Sequence, residues 1–166
     1  MATVESPRTV VTATLDWLLD RANTRLTYKP KLVTLAPGTA VAMDECCEGE
    51  LWARVSGVVP VMSTTKPVPS MHCAILGWRV SAGIGLARCV HGLQDGGYFP
   101  TAAEMGDDFD RLMLDMEELS QALLCDFPEM PAVRSVALGR WTPFGPDSMC
   151  AGGEWTFDYT LPYCGC

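Results

Sequence analysis

Glu154-Trp155-Thr156-Phe157-Asp158-Tyr159-Thr160-Leu161 alternates polar and apolar residues without a break. Strict period-two patterning over eight residues predicts a β-strand with one buried and one solvated face. Upstream, Val133 to Trp141 reads as a second strand, and Gly145-Pro146 marks a loop before Cys150-Ala-Gly-Gly, which reads as a turn. This stretch predicts sheet structure at the end of the chain.

Further upstream lies the clearest helix signal. Thr101-Ala-Ala-Glu104 matches a capping box, in which hydroxyl and carboxylate each satisfy an end amide of the helix. Phe109, Leu112, Met113, Met116, Leu119 and Leu123 then form one apolar stripe, and the helix is expected to stop before Pro128. A second helix is expected from about Pro7 to Arg25. Ser6 caps it, Pro7 suits its first turn, and Val11, Leu15, Leu18 and Ala22 recur at helical spacing.

Between the helices the pattern is extended. Leu32–Leu35 and Thr39–Ala42 flank the turn signal Pro37-Gly38, and Asp44-Glu-Cys-Cys-Glu-Gly reads as an acidic turn. Glu50 to Val61 is β-rich. A long proline-stiffened hairpin loop follows at about 61–71, and His72 to Val90 supplies one strand or two. Gly83 and Gly85 within it suggest a bulge or a close backbone approach. The order helix, strands, helix, strands predicts a single α+β domain over residues 1–166, its mostly antiparallel sheet carrying both helices on one side.

The chain has 166 residues, 48% of them apolar, and a net charge of −8. That length buries a real core, and the negative charge argues against a general nucleic-acid binder, which needs Lys and Arg for phosphates. The start Met1-Ala-Thr-Val-Glu-Ser-Pro has no basic segment followed by an apolar one, so no secretory signal is expected. No apolar run is long enough to cross a bilayer, and no membrane partner is expected. The chain is expected to fold in a reducing cytoplasm, where its eight cysteines need a reason.

Catalytic chemistry is hard to assemble from these residues. The two histidines, His72 and His91, sit in no catalytic motif, and the neighbours His72 and Cys73 point to opposite faces of a strand. Gly83-x-Gly85 lacks the third glycine of a dinucleotide loop, and no phosphate-binding GK[ST] occurs. No catalytic, cofactor-binding or metal residue is assigned. Zinc is the alternative for the thiols, with Cys46, Cys47, Cys164 and Cys166 as its ligands, but vicinal Cys-Cys and Cys-x-Cys depart from the usual knuckle spacing. Cys73, Cys89 and Cys125 are expected in the core. Cys150, Cys164 and Cys166 are expected in loops as crosslinking candidates, with Cys46 or Cys47 as partners, and eight cysteines permit 105 complete pairings. The acids of the second helix, Asp107, Asp108 and Asp110 among them, read as a solvated face or as an acidic channel wall. Repeated around a ring, such a wall would let DNA pass without gripping it.

Three stretches resemble the neck and tail-completion proteins of actinobacterial long-tailed phages. They are Asp44-Glu-Cys-Cys-Glu-Gly-Glu-Leu-Trp-Ala-Arg-Val, His72-Cys73 through Arg88-Cys89, and Leu138-Gly-Arg-Trp-Thr-Pro-Phe-Gly-Pro. The ending Cys150-Ala-Gly-Gly-Glu-Trp-Thr with Cys164-Gly-Cys166 adds to the likeness, and the element order resembles tail terminators. The resemblance implies a non-enzymatic virion protein, assembled in the host cytoplasm, that forms a hexameric ring at the head-proximal end of the tail tube. Its partners would be its own copies, the major tail tube protein and a head-side stopper or connector, with genomic DNA passing through unread. Lys66, Pro67, Trp141 and Phe144 are the candidate subunit contacts. The high cysteine content and the long loop leave open another neck ring, a stopper or adaptor. From a different class, a small thiol- or zinc-dependent binding protein or enzyme is the rival.

Overall fold

A computed structural model describes residues 6–38, 46–62, 75–92, 99–147 and 149–162. Helix α1 runs Pro7–Arg25, as its signals predict, with Ser6 accepting from the Thr9 amide. Strand β1, Leu32–Leu35, follows, then a short 3-10 turn at Cys46–Glu48. The long strands β2, Glu50–Met62, and β3, Ile75–Cys89, come next, then helix α2, Ala102–Gln121. Strands β4, Ser135–Asp147, and β5, Cys150–Pro162, close the chain.

The five strands form one sheet in the order β1-β2-β3-β5-β4. β1 is parallel to β2 and every other pair is antiparallel. The α+β class, with its N-terminal helix and a second helix before the last strands, is therefore correct. His72 to Val90 yields one described strand, and β4 runs on through Pro143, Gly145 and Pro146, where a loop is expected. The Cys150-Ala-Gly-Gly turn is likewise the first part of β5. The hairpin loop at 61–71, with Lys66 and Pro67, lies outside the described residues beyond Met62, as do Thr39–Ala42.

Alternation along the strands assigns the two sheet faces. Leu51, Ala53, Val80, Ala82, Ile84, Leu86, Phe157, Tyr159 and Leu161 pack in one core with Leu15, Leu18 and Ala22 of α1 and Leu119 of α2. Both helices thus cover the same face. Trp155 on β5 donates its indole N–H to the Met116 carbonyl at 2.9 Å, which pins α2 to the sheet.

The capping box at Thr101 and Glu104 forms in both directions. At the other end α2 widens into a π turn at Ala122–Asp126, then a 3-10 turn at Phe127–Glu129 that includes Pro128. This irregular exit delivers Phe127 into the core, edge-on to Phe157 and Tyr159 at 5.7 and 5.1 Å between ring centres. The apolar stripe of α2 is only partly covered. Leu119 and Leu123 are buried, whereas Phe109 and Met113, nearer the helix start, are exposed.

Candidate functional site

The sheet face opposite the helices carries the most distinctive side-chain arrangement. Glu154 is expected on the solvated face of its strand, yet it is buried. Arg54 of β2 reaches across the intervening β3 to place two guanidinium nitrogens on its carboxylate, at 2.5 and 2.6 Å, and the Trp52 indole N–H adds a bond at 3.0 Å. The hydrogen bonds to Glu154 raise the Arg54 pKa above its ordinary value. Gly83 and Gly85 make the crossing possible. A methyl group at Gly83 would meet the Glu154 carboxylate at 2.6 Å, and one at Gly85 would collide with the Trp52 ring. The close approach expected at these glycines is thus to side chains lying across the strand.

Next to this cluster, at the end of the same face, four cysteines converge. Cys89 of β3 and Cys150 of β5 are register partners. The consecutive Cys46 and Cys47 sit above them in the 3-10 turn, and disulfides join Cys46 to Cys150 and Cys47 to Cys89. The expected crosslink between Cys150 and the Cys46-Cys47 pair is present. Cys89, however, is not a core thiol but a bridge partner, because its register places it directly beside Cys150. Cys125 is exposed in the π turn rather than buried. Cys73, Cys164 and Cys166 lie outside the described residues. With Cys46 and Cys47 bridged, the expected zinc set has lost two of its thiolates. No group of three or more His, Cys, Asp or Glu side chains among the described residues could hold a metal ion.

The other candidate residues are separated. Asp107 and Asp110 are exposed beside Tyr28, Arg111 and Leu114. Asp108 faces the end of β3 instead, accepting from the His91 backbone amide at 2.7 Å and lying 3.1 Å from its Nδ1. The three acids therefore do not form one patch. Trp141 and Phe144, candidates for subunit contact with core packing as the alternative, are half-buried within this chain. Trp141 lies across Gly153 and 5.7 Å from the Trp155 ring centre, and Phe144 lies 6.0 Å from that of Trp52. Small residues on the neighbouring strands, Gly153 above all, let these rings fold back onto the sheet.

Two exposed apolar surfaces stand out among the described residues. β1 pairs with β2 only from Glu50 to Ala53, so among the described residues the outer edge of β2 from Arg54 to Met62 has no strand beside it. Val58, Val59 and Met62 on that edge segment, and Leu76 on β3, are all exposed. The second surface is a groove of about 570 Å³ between the start of α2 and the end of β3, lined by Val90, Phe99, Pro100, Met105, Phe109 and Leu112 among others. Phe99 and Phe109 there are 73% and 62% exposed, unusual for isolated Phe side chains on a soluble surface.

No protein-family model matches this chain, and no curated protein is detectably similar to it. No described helix is long and apolar enough to cross a membrane.

Proposed function

We propose that this chain is a non-enzymatic assembly subunit that closes into a ring, most consistent with a tail terminator at the head-proximal end of a phage tail tube. The observation that carries the reading is the pair of different exposed apolar surfaces, the open β2 edge and the α2 groove. A closed ring needs two unlike, complementary surfaces on every subunit. Here the β2 edge of one copy would meet the α2 groove of the next. At the far side of the sheet β4 carries Pro143, Pro146 and a register shift between Leu138 and Trp141, features that blunt an edge against pairing. Pairing is thereby directed to one side of the molecule. Asp107 and Asp110 are the acids left for a channel wall, where repulsion of phosphates would let DNA slide past.

Native mass measurement of the purified chain, with and without isolated tail tubes, tests this. A ring-sized species that is captured on tube ends is expected. A chain that stays monomeric at high concentration and ignores the tubes would overturn the proposal, and ring formation without tube capture would move it to another neck layer.

A further inference from the structure

We propose that Arg79 is the charged anchor of the ring contact, its guanidinium binding the Asp108 carboxylate in the α2 groove of the next copy. This anchor rests on the ring reading and supplies what that reading leaves open, the polar pairing that fixes one register between two apolar surfaces. Apolar contact is non-directional, so a ring with uniform subunit spacing needs such a pairing.

The groove supplies the socket. Its described lining is apolar apart from His91 and Asp108, and Asp108 is its one carboxylate. The Asp108 side chain is 13% exposed. Its Oδ2 accepts from the His91 amide at 2.7 Å and lies 3.1 Å from the ring Nδ1, so the end of β3 holds the carboxylate in place. Oδ1 accepts no hydrogen bond among the described residues. A carboxylate has lone pairs on both oxygens, so Oδ1 is open to a donor that arrives through the groove. The occupant that suits this groove is therefore apolar and carries one cationic donor.

The β2 edge carries that combination. Val59 of β2 and Arg79 of β3 are register partners, so their side chains stand side by side on one sheet face, and both are exposed. Arg25, Arg54 and Arg88 are held within the chain by Asp126, Glu154 and Asp115. Arg79 has no hydrogen bond or ion pair among the described residues, and it is the one cation in segments 57–62 and 75–80. Its aliphatic stem can lie along apolar surface while the planar fork of donors meets a carboxylate. Phe99 and Phe109 beside Asp108 would exclude water from the pair, the setting in which arginine anchors carry most binding energy.

Assembly of the full chain is followed by sedimentation velocity across a concentration series. The samples are the unaltered chain, Arg79→Ala, Asp108→Asn, the double variant and Arg140→Ala. Arg140 is an exposed arginine of β4, on the other side of the sheet from the β2 edge, and Asp108→Asn keeps an oxygen for the His91 amide. Each of Arg79→Ala and Asp108→Asn should raise the concentration needed for half-assembly by at least about tenfold. The double variant should lose little more than the worse single, because both changes remove the same pair, and Arg140→Ala should assemble normally. The unaltered chain should also respond more steeply to salt than Arg79→Ala. An unaltered chain that stays monomeric would overturn the anchor together with the ring reading. Normal assembly of either single variant, losses that add in the double variant, or an equal loss in Arg140→Ala would overturn the anchor and leave the ring reading standing. The salt comparison leaves Asp108 unaltered, so an equal salt response would overturn the anchor even if Asp108→Asn does not fold.

Discussion

Arg88 and Asp115 form a two-pronged ion pair inside the helix–sheet interface, Nε to Oδ2 at 2.5 Å and Nη2 to Oδ1 at 2.9 Å. The same guanidinium also donates to the Tyr28 carbonyl and lies 5.7 Å from the Tyr28 ring centre, so one side chain of β3 ties down α2 and the segment after α1. Burial pushes the Asp115 carboxyl above its usual range, and the hydrogen bond and charge of Arg88 only partly offset this. Removing one partner strands a buried charge. Asp115→Ala should therefore lower unfolding free energy by about 3–5 kcal/mol, a larger loss than truncating a surface acid such as Asp16. Urea unfolding followed by tryptophan fluorescence checks it, and a loss below about 1 kcal/mol would show the pair to be dispensable.

Tyr159 gives an alkaline prediction with a defined sign. Its ring is buried, its hydroxyl lies 2.9 Å from the Thr14 hydroxyl, and burial pushes its phenol up to about 12 from the ordinary value near 10. Between those pH values the unfolded chain releases the proton and the folded chain keeps it. The contribution of Tyr159 is thus complete below about pH 10 and is lost as pH rises towards 12, by about 2–3 kcal/mol. Tyr159→Phe should cost about 1 kcal/mol at neutral pH, since Thr14 keeps its bond to the Val11 carbonyl at 2.8 Å. The variant should also lose most of the decline in this window. Denaturant midpoints of both proteins from pH 9 to 12, as approximate bounds, decide it. Parallel declines would assign the alkaline loss to other groups.

Gly85 is the third test. Its missing side chain is the space in which the Trp52 ring lies, so Gly85→Ala should displace that ring and destabilise by about 1–3 kcal/mol. The exposed Gly106 has open space around its α-carbon, and Gly106→Ala in α2 should stabilise by a few tenths to about 1 kcal/mol. Thermal unfolding of the two variants should move in opposite directions. If both move the same way, the glycines of the sheet act through backbone freedom rather than through the Trp52 packing.

The readable part of the fold is the part governed by neighbours in sequence. Ser6-Pro7 and the Thr101–Glu104 box bond within one helical turn, so their residues alone announce both helix starts. Alternation from Glu154 to Leu161 announces a strand for the same reason. What stayed hidden depends on register between distant segments. Glu154 is buried because Arg54 and Trp52, a hundred or more residues away, reach it over Gly83 and Gly85. Cys89 pairs with Cys47 because the ladder sets Cys89 beside Cys150. The parallel pairing of β1 with β2 has no local signature at all. Nor does the apolar stripe of α2 reveal where the sheet stops covering it, between Met113 and Leu119.

The ring reading makes a prediction that separates head-to-tail contact from self-association. Val59 on the open β2 edge and Phe109 in the α2 groove are both exposed, so Val59→Asp and Phe109→Asp should each leave folding stability within about 0.5 kcal/mol. Each spoils one of the two surfaces that a ring contact joins, and each variant alone should be monomeric by native mass. Mixed together, they should pair once. The Phe109→Asp copy still offers an intact β2 edge, and the Val59→Asp copy still offers an intact groove to receive it. The resulting heterodimer has only spoiled surfaces left outward, so it cannot grow into a ring. A two-fold symmetric contact behaves differently, because each variant then carries its defect into every pairing it makes. Heterodimers in the mixture therefore support a heterologous interface built from these two surfaces, whereas monomers in the mixture, or rings from either variant alone, would remove it.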